Sequence, residues 1–317
     1  MKPTDKIYVA GHKGLVGSAV VRLLKTRGFG NLITRSRLEV NLRDERAVQN
    51  LFRDEKPELV ILAAARVGGI KANIDAPVEF LVENLQIQNN VIRAAHEGNV
   101  RKLLFLGSSC IYPKFAPQPI PESALLSGPL EPTNEAYAIA KIAGIKLCQA
   151  FAREYGANFI SVMPTNLYGP GDNFNLETSH VLAGLLRKAH EAKMSGAGEI
   201  IVWGTGVPRR EFLHVDDLAA AILFLLEHYN SSEIINVGCG EDISICELAE
   251  LICDVVGFRG ELKWDRSKPD GTPRKLLDIS RIKNLGWEPT IVLRAGVTRL
   301  YEWFLDNYAP RSTASLR

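Results

Sequence analysis

Tyr137 and Lys141 stand four residues apart in Tyr137-Ala138-Ile139-Ala140-Lys141. On a helix that spacing puts a phenol and an ammonium on one face. The chemistry open to the pair is general acid catalysis, with the tyrosine giving a proton to a carbonyl oxygen as hydride arrives. A neighbouring ammonium favours phenolate, which predicts a tyrosine pKa below its usual value of about 10. Most Tyr-x-x-x-Lys helices are ordinary surface pairs, so this one takes its meaning from its companions. Gly11, Gly14 and Gly17 form G-x-x-G-x-x-G between an apolar run and a helical pattern. Such glycines let the backbone turn tightly and approach a pyrophosphate at a helix N-terminus, which points to a dinucleotide. Gly107-Ser108-Ser109-Cys110 follows another apolar run. A serine there can hydrogen-bond a substrate carbonyl beside Tyr137, or it can simply cap a turn.

The second strand bears on the nucleotide. Asp or Glu about 20 residues beyond the glycines holds the ribose hydroxyls of NAD, whereas Arg accommodates a 2′-phosphate. Here the strand runs into Arg35-Ser36-Arg37, with Lys13 inside the glycine loop. That pattern favours NADP. Glu39 is the opposing feature, and solvated surface arginines are the alternative.

The elements that must carry these residues alternate. Ile7–Ala10, Leu32–Thr34, Leu59–Ala64, Lys102–Leu106 and Phe159–Val162 read as strands. Helical patterns lie between them at 16–24, 47–52, 80–95 and 136–152. Near-continuous apolar strands in such an alternation predict a parallel sheet covered on both faces, an α/β fold. After about residue 165 the rhythm changes. Helices are expected at 181–192 and 215–227, strands at 200–203 and 234–237, and a smaller cap in the last third.

Composition bounds the rest. The 317 residues carry a formal charge of +2, with 46% hydrophobic and 23% charged residues. That is the profile of a globular protein, with no general basicity to suggest nucleic acid. No apolar leader and no run of 18 apolar residues is present, so neither secretion nor a membrane span is expected. Five cysteines without a C-x-x-C pair argue against a zinc site and require no disulfide framework, which suits a cytoplasmic protein.

Further segments narrow the reading: Ala10-Gly11-His12, Val67-Gly68-Gly69-Ile70, Gly107-Ser108-Ser109-Cys110-Ile111-Tyr112-Pro113 and Leu130-Glu131-Pro132-Thr133-Asn134-Glu135. Pro164-Thr165-Asn166-Leu167-Tyr168-Gly169-Pro170, the stretch from Arg210 to Asp217 and the stretch from Lys268 to Lys275 continue them in order. Over nearly its whole length the chain resembles the extended short-chain dehydrogenase/reductase family, and within it the bifunctional epimerase-reductases. The resemblance implies a Rossmann-type doubly wound sheet over 1–168, with segments near 211–240 returning to it, and a smaller α/β substrate domain over 169–317. It implies a substrate in which GDP carries a 4-keto-6-deoxy sugar. Protons at C3 and C5 are exchanged with inversion, and hydride from NADPH then reduces C4.

Carried over residue by residue, the reductase triad falls on Ser108, Tyr137 and Lys141, and the epimerase pair on Cys110 as base and His180 as acid. Cofactor contacts fall on Gly11, Lys13, Gly14, Leu15, Val16, Gly17, Arg37, Leu106, Gly107, Lys141, Pro164, Asn166, Leu167 and His180. Substrate contacts fall on Lys188, Trp203, Arg210 and Asp270. Lys188 and Lys13 replace arginines more frequent in the family, keeping charge but losing the planar donor fork. From sequence Trp203 is equally a core residue. A homodimer through two helices flanking the sheet is a further expectation. A dehydratase is expected to have an acid pair where Ser109-Cys110 stand, and a simple 4-epimerase needs no Cys110–His180 pair. A non-catalytic NADP-binding protein predicts loss of a triad member, and none is missing.

Overall fold

The computed structural model describes residues 1–309. Residues 310–317, the end of the expected substrate half, lie outside the described residues. The chain opens with β1 (Ile7–Ala10), α1 (Leu15–Thr26), β2 (Leu32–Ile33), α2 (Glu45–Glu55) and β3 (Leu59–Leu62). It continues through α3 (Ile70–Asp75), α4 (Pro77–Glu97), β4 (Lys102–Leu106), α5 (Glu135–Tyr155) and β5 (Phe159–Pro164). The strands are apolar because they lie inside: every residue of β1, β3, β4 and β5 is buried. Asp44 starts α2 by accepting the Ala47 amide hydrogen, the usual solution for an orphan N-terminal donor. Gly156, in the left-handed region, ends α5.

Next come β6 (Asn166–Tyr168), α6 (Val181–Ser195), β7 (Glu199–Trp203), β8 (Arg209–Arg210), β9 (Phe212–His214), α7 (Val215–His228) and β10 (Ile235–Val237). The chain closes with β11 (Ile243–Ser244), α8 (Ile245–Val256), β12 (Glu261–Asp265), β13 (Arg274–Lys275), α9 (Ser280–Asn284) and α10 (Leu293–Asn307). The six-stranded sheet has the order β10-β5-β4-β3-β1-β2 and is parallel at every pairing. α1 packs with α7, and α4 with α5 and α2, so helices cover the sheet as the doubly wound expectation requires. The chain leaves β1 toward β2 on one side and returns to β3 on the other. A crevice therefore opens at the carboxyl ends of β1 and β3, the customary ligand position in such sheets.

Two apolar cores result. The larger surrounds the six-stranded sheet and includes Leu213, the inner face of α7 and Ile235 and Val237 of β10. The smaller joins α6, α8 and α10 around Leu186, Leu248, Val297 and Leu300. β9 does not enter the main sheet; it pairs with β6 to form a two-stranded ribbon where the cores meet. The expected strand at 32–34 is shortened to Leu32–Ile33, the two residues that pair with β1. Several short strands and α8 make up the region expected as a smaller α/β cap. The start of α8 is a capping box between Ser244 and Glu247, a signal present in the sequence.

Candidate active site

The phosphate end of the crevice is built from backbone. Gly11 has φ +86°, and a Cβ on Gly17 would stand 2.1 Å from the Gly11 carbonyl oxygen. Neither position tolerates a side chain, and together they bring the chain down onto the first turn of α1. No side chain caps that helix at Gly14, so its first amide hydrogens remain available for an anion. Lys13 is exposed beside them, Leu15 is partly exposed and Val16 is buried in the core. Among the arginines after β2, Arg35 is held by Glu55 and by the Thr34 carbonyl, so its role is structural. Arg37 is exposed and meets no partner among the described residues. Glu39, the opposing feature, accepts the Ser36 amide hydrogen at 2.7 Å instead of standing free for a ribose. Open amides, a glycine cradle and one uncommitted guanidinium fit a dinucleotide bearing a 2′-phosphate.

The catalytic end is carried by β4, α5 and the loop between them. α5 places Tyr137 and Lys141 on one face as the spacing predicted, but their electrostatics differ from expectation. The Lys141 ammonium donates to the Leu106 carbonyl oxygen at 2.7 Å, and lies 4.8 Å from the centre of the Phe105 ring. It is 5.8 Å from the Tyr137 ring centre, with no bond to the phenol. Burial pulls its pKa down to about 7. Burial likewise pushes the Tyr137 phenol above its ordinary value, the Cys110 charge adds to that, and the nearby Ser108 hydroxyl only partly offsets it. The expected lowering of the tyrosine by the lysine is therefore corrected. Desolvation outweighs an ammonium already committed to a backbone carbonyl. A phenol that keeps its proton at neutral pH is still suited to giving it away.

Ser108, two residues beyond β4, is extended, and its hydroxyl accepts the Cys110 amide hydrogen at 3.2 Å. Cys110 is half-buried. Burial alone raises a thiol's pKa, but the Lys275 ammonium 3.5 Å from Sγ, the Ser108 hydroxyl and the more distant Arg210 bring it below the ordinary value. His180 immediately precedes α6 without capping it. Its imidazole retains contact with solvent, yet surrounding protein and the Lys275 charge hold its pKa down. Base and acid candidates thus share one cation and one cleft. Leu106 and Gly107 lie at the carboxyl end of β4, Pro164 at that of β5, and Asn166 and Leu167 on β6. The Asn166 amide is fixed by donating to the Glu211 carbonyl at 2.8 Å.

The third group lies on the smaller core. β8 and β13 pair in parallel, Arg209 with Arg274 and Arg210 with Lys275. Successive strand residues point to opposite faces. Arg209 and Arg274 accordingly turn outward to Asp242, while Arg210 and Lys275 turn inward toward Cys110. Arg210 donates to the carbonyls of Arg209 (2.8 Å) and Asp270 (3.2 Å). The Asp270 carboxylate accepts from the Thr205 amide and hydroxyl, both at 2.8 Å. Trp203 is not a core residue: it is 45% exposed on the outer face of β7, with the Lys268 ammonium 5.3 Å above its ring. Lys188 reaches from α6 to the Ile201 carbonyl at 2.9 Å, two residues before that tryptophan.

A family model, the NAD dependent epimerase/dehydratase family, matches residues 7–238. The chain belongs to that family. It is 60% identical over 306 residues to GDP-L-fucose synthase 1 of Arabidopsis thaliana, covering 96% of this chain and 95% of that one. It is 54% identical over 312 residues to the GDP-L-fucose synthase of Escherichia coli strain K12, covering 96% and 97%. The crystal structure of a GDP-L-fucose synthetase from Naegleria fowleri bound to NADP matches it with a TM-score of 0.89 at 33% identity, covering 97% of this chain and 96% of that one.

Within this epimerase/dehydratase frame, the residue that sequence reasoning passed over is Lys275. It closes the Lys268–Lys275 stretch, and its ammonium supplies the cation that favours a thiolate at Cys110. The signal was the two-residue period: with Arg210 facing the cleft, its partner on β13 had to face it too. Arg66 and Phe80 were also missed. Phe80 packs edge-on against Tyr137 at 6.3 Å, and the Arg66 guanidinium lies 5.3 Å from the Phe80 ring centre. They form a wall behind the phenol.

Proposed function

We propose that this chain converts GDP-4-dehydro-6-deoxy-D-mannose to GDP-L-fucose, acting first as a 3,5-epimerase and then as an NADPH-dependent 4-reductase. The observation that carries the reading is the meeting of two proton-transfer systems at one cleft: Cys110 with Lys275 and His180, and Tyr137 with Ser108 and Lys141. A plain reductase needs only the second. The similarity to GDP-L-fucose synthases at 54–60% identity over nearly the whole chain gives the substrate.

The ketone at C4 acidifies the hydrogens on C3 and C5. The Cys110 thiolate, kept ionised by Lys275, removes one of them and leaves an enolate. His180 protonates the opposite face of that carbon, and the same exchange at the other carbon completes the inversion. NADPH, when bound, supplies hydride to C4. Ser108 and Tyr137 hydrogen-bond the C4 oxygen, and Tyr137 gives it the proton that makes the alcohol. Lys141, anchored on the Leu106 carbonyl, places positive charge beside that transfer. Arg37 takes the 2′-phosphate and the α1 N-terminus the pyrophosphate of the cofactor. Arg210 takes the diphosphate of the substrate, with Trp203, Lys188 and Asp270 lining the path of base and sugar.

We read residues 1–168, with the returning α7 and β10, as the cofactor half, and 169–317 as the substrate half. Exposed Val78, Val82 and Ile139 on α4 and α5 support a homodimer through those helices. Among the described residues no helix is long and apolar enough to cross a membrane; a cytoplasmic enzyme is the reading consistent with reduced, free cysteines. The deciding experiment is incubation with NADPH and GDP-4-dehydro-6-deoxy-D-mannose, with the product sugar assigned by NMR. A product inverted at C3 and C5 and reduced at C4 is expected. Reduction without inversion defeats the bifunctional assignment.

A further inference from the structure

This inference rests on the epimerase reading and concerns what happens to the proton that Cys110 acquires. Two inversions with one base require the thiol formed in the first to become thiolate again before the second. With a sugar lying across the open side of Cys110, the proton must leave by another side.

A small cavity lies on such a side. Cys110, Glu131, Asn134, Thr272 and Lys275 contribute to its wall, whereas Ser108, Tyr137, Lys141 and His180 do not. It offers about 10 Å³ of positions for the centre of a water, which is space for one molecule and far too little for a sugar ring. Asn134 precedes α5, where a side-chain cap is customary, yet its side chain makes no cap bond. Its Oδ1 is buried and meets no donor among the described residues. A buried acceptor of this kind calls for a partner. Glu131 is drawn to the Lys114 ammonium at 2.9 Å and its Oε1 accepts from the Thr133 amide and hydroxyl, while its buried Oε2 has no hydrogen bond. Lys275 has two ammonium hydrogens beyond the one it gives to Sγ. One wall therefore offers a donor and another an orphaned acceptor.

We propose that this cavity holds one water that carries the Cys110 proton away between the two inversions, with Asn134 as its positioning residue. The water accepts from Lys275 and donates to Asn134 Oδ1, which leaves a lone pair for the thiol. The Cys110 S–H bond breaks and its electron pair stays on sulfur. The proton joins the water, which passes a proton on to bulk solvent. Each inversion thus delivers one proton to solvent from Cys110, and His180 recovers one from solvent, so the cycle balances.

The test uses the full chain in excess over the keto sugar, in D₂O without NADPH, with the quenched sugar analysed by mass spectrometry. Wild type is expected to reach the doubly deuterated sugar with little singly deuterated intermediate. Asn134→Leu keeps the branched side-chain shape and removes the acceptor. It is expected to form singly deuterated sugar at the wild-type rate and then stall, the second exchange slowing by about tenfold or more, as for a lost proton-transfer partner. Asn134→Asp keeps an oxygen acceptor and is expected to restore the second exchange. Wild-type proportions in Asn134→Leu, or equal slowing of both exchanges, overturn the relay. Absence of deuterium in the wild-type product overturns the epimerase reading itself, and the relay with it.

Discussion

Replacing Lys275 by methionine keeps the aliphatic stem and removes the charge beside Cys110. Unit charges 3.5 Å apart attract by about 5 kcal/mol at an effective dielectric constant of about 20. Cys110 and Lys275 are both only partly buried, so water screens a good part of that. Roughly half survives, about 2–3 kcal/mol. The sign follows from charge: without the ammonium the thiolate loses its stabilisation and the pKa rises. At neutral pH the thiolate fraction, and with it deuterium exchange into the sugar, then falls on the order of 100-fold. The loss recovers as pH is raised, because the base is protonated rather than absent. Iodoacetamide alkylation against pH, with Cys110→Ser as the blank, reads the thiol directly, and exchange measured over the same range reads the chemistry. Lys275→Arg is expected to restore most of both. An acid limb that stays where wild type has it, or a loss that high pH does not mend, would show that Lys275 does not set the thiolate.

Four other substitutions separate parts of the site and of the fold. Tyr137→Phe should depress NADPH oxidation by about 10²–10⁴-fold, the span usual for a lost general acid, while exchange at C3 and C5 continues; Cys110→Ser should stop exchange and leave NADPH binding intact. Arg37→Ala should raise the Kd for NADPH about 10–100-fold, as expected for one charge-assisted phosphate contact, with NADH binding unchanged by fluorescence titration. Lys102→Met tests the fold: its buried ammonium donates to the carbonyls of Leu225, Leu226 and Tyr229 and to Asn230. Stranding those acceptors should cost about 3 kcal/mol or more, visible as a lower Tm with the nicotinamide site unaltered.

Local chemistry accounts for what was legible. The glycine loop, α5 and the strand before Ser108 follow from chain-local rules: apolar runs, helical period and glycine geometry. Their placement in a parallel sheet follows from alternation alone. The short strands β8 and β13 carry no comparable signal, because two residues have no periodicity. Their identity comes from pairing with each other far along the chain, as between Arg210 and Lys275. Arg35 and Arg37 look alike in the chain; only the position of Glu55 makes one structural and leaves the other free.

The sequence by itself determined the doubly wound α/β frame, the dinucleotide loop and the side chains able to move protons. Tertiary structure decided their state. Tyr137 and Lys141 share a helix face as their spacing required, yet burial raises one pKa and lowers the other. That outcome reverses the pairing read from the chain, because desolvation depends on everything packed around a group and not on its neighbours in sequence. The same packing brings Lys275 to Cys110 across 165 residues, and that contact holds the thiol's pKa below its ordinary value.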